Sequence, residues 1–531
     1  MKRLSIWFAI LLAIIWAIAL VGLFLTSFPP FSELTGALVA PFSALPIMLL
    51  LIMWVVPNIL RKGKLPIESK LLLVFLLCSV IASAHSFFIQ IPTFKDVTPI
   101  YQEIRAYLTL VVGLSFYFVF ASFPKDEPAL HRTLQWINIG GLILVLTTLP
   151  QVYYILIKAP DYPKWIYITT DWFTKRTPYF FYVNRVSGFT YEPSWFSHQM
   201  ILLFLPLWLA STIAKTSSLR FRILGLSLEN ILLFLGSVEF FMSAPRISLV
   251  GVLLIGIALV IRIHKKFVHN LLQFAIYKLK RPPSETWQQR ARILFGLLLF
   301  LTYTMLSMGA LWFLLKHDAR MKEFFLYPPK WKDILGAISL NETALLVLAN
   351  RMAFFERAVY WFTGLHVFNQ FPWLGVGLGN TGFFFLQKVP AIGWTSYEIL
   401  TVLNEQAFLP NTKSLFVRLL SETGLVGFSV FMMFLYNLWR SARLLLASRS
   451  STLRLIALTG QFAMLALIGE GFSIDSFAMP YLWVMTGLIS AAAFIYRQQL
   501  RIKASTGNLN ADIPSGDQDK PGSTRLSPTE P

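Results

Sequence analysis

Four short stretches of this sequence hold the residues whose types and spacing could do chemistry. The first is Arg185-Val-Ser-Gly188-Phe-Thr-Tyr-Glu192-Pro193-Ser194-Trp-Phe-Ser-His198. Pro193 suits the first turn of a helix, where its missing N–H would be unpaired in any case, so Glu192 stands at a helix N-terminus. A capped helix start is the ordinary explanation of that block. The second is Ser243-Ala-Pro245-Arg246, with Glu239 about two turns earlier on the preceding run and able to pair with Arg246. An ionisable group near membrane depth is costly and marks either a functional path or a buried pair. Glu229, deeper in the same run, reads as a satisfied polar contact. The third stretch has Arg357 and Trp361, then Pro372-Trp-Leu-Gly375-Val-Gly377-Leu-Gly379-Asn380. No strand precedes these glycines, which excludes a dinucleotide or P-loop reading, and a flexible turn would explain them equally. The fourth holds Lys413, Arg418 and Glu422, the last two spaced for a pair on one helix face.

Singly, each stretch has a structural explanation. Together they put Arg185, Arg246, Arg357, Lys413 and Arg418 on one side of a membrane. Guanidinium groups take diphosphate oxygens with forked geometry, so the set points to a phosphorylated amphiphile.

What must position these residues is a set of membrane helices. The chain has 531 residues, 56% of them hydrophobic and only 14% charged, too few polar groups to cover a water-soluble fold of this length. The apolar residues fall in runs long enough to cross about 30 Å of hydrocarbon, where backbone groups must be satisfied within their own segment. The spans read as 4–26, 37–58, 70–90, 105–123, 136–158, 196–214, 222–242, 246–263, 293–315, 414–438, 454–474 and 478–497. The first follows Lys2 and Arg3 but ends without a small-residue cleavage site, so it reads as a retained span. The expected fold class is all-α: a polytopic membrane helical bundle of about twelve transmembrane helices with a large helical extracytoplasmic loop.

The net charge of +20 invites a nucleic-acid reading, which its distribution removes. Connections 59–69, 121–135, 213–223 and 439–453 carry eleven Lys or Arg, whereas 27–36, 91–104, 243–246 and 475–479 carry two, Lys95 and Arg246. Positive charge is retained in the cytoplasm, so both termini are expected inside, the basic connection 264–292 with them. The basicity is then topological, held near anionic lipid head groups, with no nucleic acid as partner. Cys78, the lone cysteine, lies in the third span, and the seven histidines are scattered, so neither an intramolecular disulfide nor a zinc site is expected. No metal and no cofactor is called for.

Two connections on the expected outer side exceed simple turns, 159–195 and 316–413, and function should be sought there. Residues 341–371 are helix-forming and apolar but interrupted by Arg351, Glu356 and Arg357, which favours a helix capping the bundle or lying along the membrane surface over a thirteenth span. The chain divides into a membrane domain, 1–504, and a polar tail, 505–531, expected to be a disordered cytoplasmic segment.

These same blocks resemble the O-antigen ligase and O-antigen polymerase superfamily of bacterial envelope glycan enzymes. Arg185-x-x-Gly188-x-x-x-Glu192-Pro193-Ser194 looks like the family's R-x-x-G…EP block, and Pro245-Arg246 sits where the family has Ser-Arg at a helical turn. Arg357-x-x-x-Trp361 with Pro372-x-x-Gly375-x-Gly377 is similar to its R-x-x-x-W…P-x-x-G-x-G block. Leu415-x-x-Arg418-Leu-Leu-x-Glu422-x-Gly424-x-x-Gly427 matches the helix that closes the large loop. The ordered set covers 185–427, and no block is diagnostic alone. One departure matters: Lys413-Ser414 stands where many members carry His-Asn or His-Ser, and a protonated lysine fits phosphate binding better than proton abstraction.

The resemblance implies inverting transfer from a polyprenyl-diphosphate-linked saccharide to a hydroxyl of an acceptor glycan, without a metal, at the periplasmic or external face of the inner (plasma) membrane. On that reading Arg185 and Arg246 bind the diphosphate, Lys413 adds electrostatic support, and Glu192 activates the acceptor hydroxyl, with Glu422 as runner-up. Arg357, Arg418, Glu422, Gly375, Gly377 and His198 are counted as substrate-binding. The missing histidine favours a polymerase over a ligase acting on lipid A core or protein. A flippase without covalent chemistry predicts internal repeats and broken charged spans, and no repeat is evident. Partners are the lipid-linked donor, the acceptor glycan and membrane lipids, with a chain-length regulator or flippase as the associated protein.

Overall fold

The structure, a computed structural model, describes residues 2–511 apart from 36, 63, 175–184, 220, 244–245, 280–283, 318–325, 327, 329 and 407. The helices in chain order are α1 (Lys2–Val21), α2 (Pro29–Thr35), α3 (Ala44–Leu50), α4 (Val56–Lys62), α5 (Glu68–Ser86), α6 (Pro99–Ser122) and α7 (Glu127–Leu156). After α8 (Lys164–Phe173) come α9 (Pro193–Gln199), α10 (Leu205–Ala214), α11 (Leu228–Met242), α12 (Arg246–Lys278) and α13 (Glu285–His317). The long connection then holds α14 (Trp331–Ile338), α15 (Glu342–Arg351), α16 (Phe355–Gln370), α17 (Phe385–Lys388) and α18 (Tyr397–Asn404). The chain closes with α19 (Leu415–Leu445), α20 (Ser451–Glu470) and α21 (Pro480–Ala511). Among the described residues the regular strands are one pair, β1 (Arg222–Ile223) antiparallel to β2 (Leu226–Ser227). Two wide helical turns, Leu51–Val55 and Met200–Phe204, join α3 to α4 and α9 to α10 into single rods.

Nine of the described helices and rods are long and apolar enough to cross a membrane. The chain is thus an all-α, multi-pass membrane bundle. Large apolar side chains face outward along these helices, such as Trp7 at 70%, Ile14 at 52% and Ile52 at 63% exposure. In water such a surface would drive association, whereas hydrocarbon solvates it. Each of the twelve expected spans contains helix, but the second, 37–58, is helical only from Ala44, and the seventh, 222–242, opens on the β1–β2 pair and keeps only the 15 residues of α11, roughly 22 Å at 1.5 Å per residue. α21 runs on to Ala511, seven residues into the segment expected as the tail, and 512–531 lie outside the described residues.

Close approaches of small residues set helix positions. A Cβ on Gly251 of α12 would lie 3.0 Å from Ala466 Cα, and one on Gly469 would lie 3.2 Å from the Gly251 nitrogen, so α12 and the end of α20 meet nearly backbone to backbone. The segment 341–371 is two helices, α15 and α16, parted by Met352–Phe354, and not a thirteenth span. Asn341 caps α15 by accepting from the Ala344 amide at 3.0 Å. The connection builds its own small cores, one around Leu346, Val359, Phe385 and Ile399, another around Val367, Val376 and Phe384. They sit at the bundle end where α9, α12 and α19 begin and α20 finishes, tied there by contacts described next.

Candidate functional site

The most unusual backbone at this end is inside α19. Gly424 has φ 63° and ψ −170°, a region essentially reserved for glycine, and it divides the helix into an upper turn pair, 415–423, and a long lower segment. The glycine-rich stretch covers the break. Val376 N donates to Ser421 O at 3.0 Å, Gly377 N to Glu422 O at 3.0 Å, and Leu425 N to Pro372 O at 2.8 Å. Backbone groups freed inside a membrane bundle must find such partners. Gly375 and Gly377, both at positive φ, are small because the ribbon touches: a Cβ on Gly375 would lie 2.6 Å from Ser421 O, and one on Gly377 2.8 Å from Glu103 Oε1. The flexible-turn expectation for these glycines is therefore corrected: the stretch is a docked ribbon. Glu103 in turn accepts from Ser86 Oγ at 2.7 Å and Asn380 Nδ2 at 2.6 Å.

Above the break lies a cluster of charge. Arg418 donates through Nε to Glu422 Oε2 at 2.9 Å and through Nη1 to Asp475 O at 2.7 Å, and its guanidinium rests 4.5 Å over the Phe477 ring. The i,i+4 clip is formed and buried. Lys413, in the left-handed region at φ 51°, brings Nζ within 3.6 Å of Asp475 Oδ2, and Asn411 Nδ2 approaches the same oxygen at 3.3 Å. Arg357 reaches Lys413 O and Ser473 O at 3.4 Å and makes no ion pair among the described residues. Burial alone would raise the Asp475 carboxyl. Lys413, Arg357 and Arg418 outweigh it and hold Asp475 below the usual carboxylate range. The α19 start is pinned to α20, since Gly471 O accepts from Leu415 N at 2.7 Å and Ser414 Oγ at 3.1 Å.

Arg185 and Arg246 flank a second turn at the same end. Arg185 Nε donates to Ser243 O at 2.9 Å, and Val186 N to Met242 O at 3.1 Å. Arg246 begins α12 and donates through Nη1 to Met352 O at 2.9 Å and to Ala353 O. The expected Glu239–Arg246 pair does not form: Glu239 is fully buried with both carboxylate oxygens lacking a hydrogen-bond partner among the described residues. The bend at 352–353 draws Arg246 toward the connection instead. Pro245 of the proposed motif lies outside the described residues. Arg246 and the Arg357–Lys413 contact are thus joined through α16, whose first turn follows that bend. Glu229 is a satisfied contact, accepting from Ser217 Oγ at 2.6 Å and Asn138 Nδ2 at 3.1 Å.

Glu192 is the N-cap of α9, but its own side chain makes no cap bond and accepts from Ser194 Oγ. His198 is buried at 2% exposure with Nδ1 against Glu470 Oε2, and the hydroxyl of its chain neighbour Ser197 meets Ser243 Oγ at 2.9 Å. Glu470 is itself buried, and its other oxygen has no hydrogen-bond partner among the described residues.

Beside the cluster the connection holds a cavity of about 670 Å³, lined among others by Asn350, Arg351, Glu356, Ser396, Tyr397 and Glu398. Tyr360 Oη donates to Glu398 Oε1 at 3.2 Å, and Ser396 Oγ to Glu356 Oε1 at 3.4 Å. Loss of surrounding water, then the charge of Glu356, holds the Glu398 carboxyl above the usual range, against the pull of Lys413, Tyr360 and Arg357.

Reading motifs missed Asp475, Glu398 and Glu470. Asp475 stands in a connection weighed only for its cations, and the one available signal was an unpaired acid between two spans on the side where Lys413 and Arg418 were already out of place. The arrangement can bind and neutralise a multiply charged anion at several fixed donors. No protein-family model and no curated protein matches the chain.

Proposed function

We propose that this chain is an inverting glycosyltransferase of the O-antigen polymerase type, joining polyprenyl-diphosphate-linked oligosaccharide repeat units on the extracytoplasmic side of the plasma membrane. Twelve spans, with both termini cytoplasmic, complete the proposal. One observation carries it: Lys413 pairs with the Asp475 carboxylate, Arg418 bonds its carbonyl, and Arg357 adds its charge there, at the same bundle end as Arg185 and Arg246. Negative charge grows on the departing diphosphate in the transition state, and fixed cations stabilise it there most effectively. Arg185 and Arg246, held by backbone carbonyls, are the diphosphate ligands, and Lys413 gives further positive potential. Arg418, buried in its clip with Glu422, holds the upper part of α19 in place.

The test uses purified full-length protein and undecaprenyl-diphosphate-linked oligosaccharide. Release of undecaprenyl diphosphate with a ladder of longer lipid-linked glycans is the expected result. Product on lipid A core or on protein would mean a ligase, and relocation of intact donor across a vesicle membrane would mean a flippase. Labelling of cysteines placed in connections 59–69 and 91–104 from either side of the membrane tests the orientation.

A further inference from the structure

We propose that the cavity beside the cation cluster binds the acceptor saccharide and that Glu398 on its wall accepts the proton of the attacking hydroxyl. This rests on the glycan-transfer reading above. The cavity's volume of about 670 Å³ lies within the ~300–1,000 Å³ typical of small-molecule sites, ample for a short oligosaccharide. Its wall mixes what sugars need. Carboxylates at Glu356 and Glu398, the amide of Asn350 and the guanidinium of Arg351 offer acceptors and donors for hydroxyl groups. Tyr397, Phe355 and Ile392 offer flat or apolar surface for the carbon faces of a sugar ring. A lipid tail would need a lining without these charges, and the lining's charges are of both signs, which suits a hydroxyl-rich ligand better than a polyanion.

Glu398 is where this cavity meets the diphosphate side. It lines the cavity, takes the Tyr360 hydroxyl at 3.2 Å, and is near enough to Lys413 and Arg357 to feel both charges. A hydroxyl held in the cavity therefore looks, across the Glu398 carboxylate, toward the Lys413 side of the cation cluster, where the proposed donor's diphosphate is drawn. In the step, the hydroxyl oxygen forms a bond to the anomeric carbon while the bond from that carbon to the diphosphate oxygen breaks. The electron pair leaves with the diphosphate onto the cations, and the hydroxyl proton passes to Glu398 Oε. A carboxylate whose proton affinity is raised by loss of surrounding water is a better base than a free one. This replaces Glu192, bound to Ser194, as the base.

Two measurements on the detergent-purified full chain test it. First, saturation-transfer NMR follows binding of carrier-free oligosaccharide, released by mild acid from the host's own lipid-linked glycan, to wild type, Asn350→Leu and Tyr397→Ala. At least tenfold weaker binding by both variants is expected, and unchanged binding overturns the cavity assignment. Second, Glu398→Gln should cut kcat by about 10²–10⁴-fold with donor KM little changed, and abolish the acidic limb of the rate profile. Retained kcat with the acidic limb intact overturns the base. Wild-type protein that binds free oligosaccharide but never releases diphosphate overturns the transfer reading, and the base with it, while the binding measurement still decides the cavity.

Discussion

Arg418 and Glu422 grip each other across one helical turn, Nε to Oε2 at 2.9 Å, two residues above the glycine at which their helix breaks. The pair closes the short upper piece of α19, and the Pro372–Gly379 ribbon holds its lower edge. Charge and backbone geometry are thus built into one object, whose outer end carries Lys413. Several expectations follow for experiment.

Gly424→Ala is expected to damage the fold. Its Cβ would run into Trp373 O, and its φ/ψ pair costs a non-glycine residue roughly 1–3 kcal/mol before any clash. Thermal unfolding of the purified protein should fall by several degrees with loss of glycan extension, and a wild-type melting curve would refute the account of the break.

Asp475→Asn removes the charge on which Lys413, Arg357 and Arg418 converge. Because the folded state depresses the Asp475 carboxyl, its contribution is present above the unfolded value of about 3.9 and fades as pH falls through the folded one. Wild type should therefore melt higher than the variant at pH 7, and the gap should narrow toward pH 3. A gap that widens on acidification would contradict this assignment.

Arg246→Ala should lower donor turnover on the order of 10²–10³-fold, the size of effect seen when one fixed donor to developing charge is lost. Arg246→Lys keeps the charge but not the planar guanidinium, whose Nη1 donates to both Met352 O and Ala353 O while its other nitrogens can take a diphosphate, so only partial recovery is expected. Rates equal to wild type in both variants, read by undecaprenyl diphosphate release, would end the diphosphate role.

Tyr360→Phe takes a hydrogen bond from the Glu398 carboxylate, one that lowers its proton affinity. Losing it raises that affinity further, so the acidic limb of the rate profile should move to higher pH. A limb that stays put or moves down would show that Glu398 does not govern it.

Glu239→Met should leave stability unchanged or raised, because the carboxylate is buried without a hydrogen-bond partner among the described residues and its replacement removes a desolvation cost. If calorimetry shows a large drop in Tm, an unseen partner sustains Glu239.

The long apolar helices were legible because hydrocarbon imposes one solution on any run of apolar residues, and the Arg418–Glu422 clip because i,i+4 spacing is a local rule. Longer-range relations were not. Asp475 lies 57 residues from Arg418, whose guanidinium reaches its carbonyl, and no period in the chain announces that meeting. The Glu239–Arg246 expectation failed for the same reason: nearness in sequence suggested a pair, while a bend more than a hundred residues away at Met352–Ala353 offered Arg246 better acceptors. The glycines of 375–379 looked like punctuation because their partner, the interrupted α19, is itself read as an unbroken span from hydropathy.

The seam at Gly251 and Gly469 gives this protein a tuning point built from two bare backbones, with Glu470 next in the chain to one of them. Any added methyl there must wedge α12 away from the end of α20, and α20 is what anchors the start of α19 through Gly471. The guanidinium at 246 and the ammonium at 413 thus sit on elements joined through that nest of two bare backbones, and a single added carbon atom there would re-gauge the jaws without altering their chemistry.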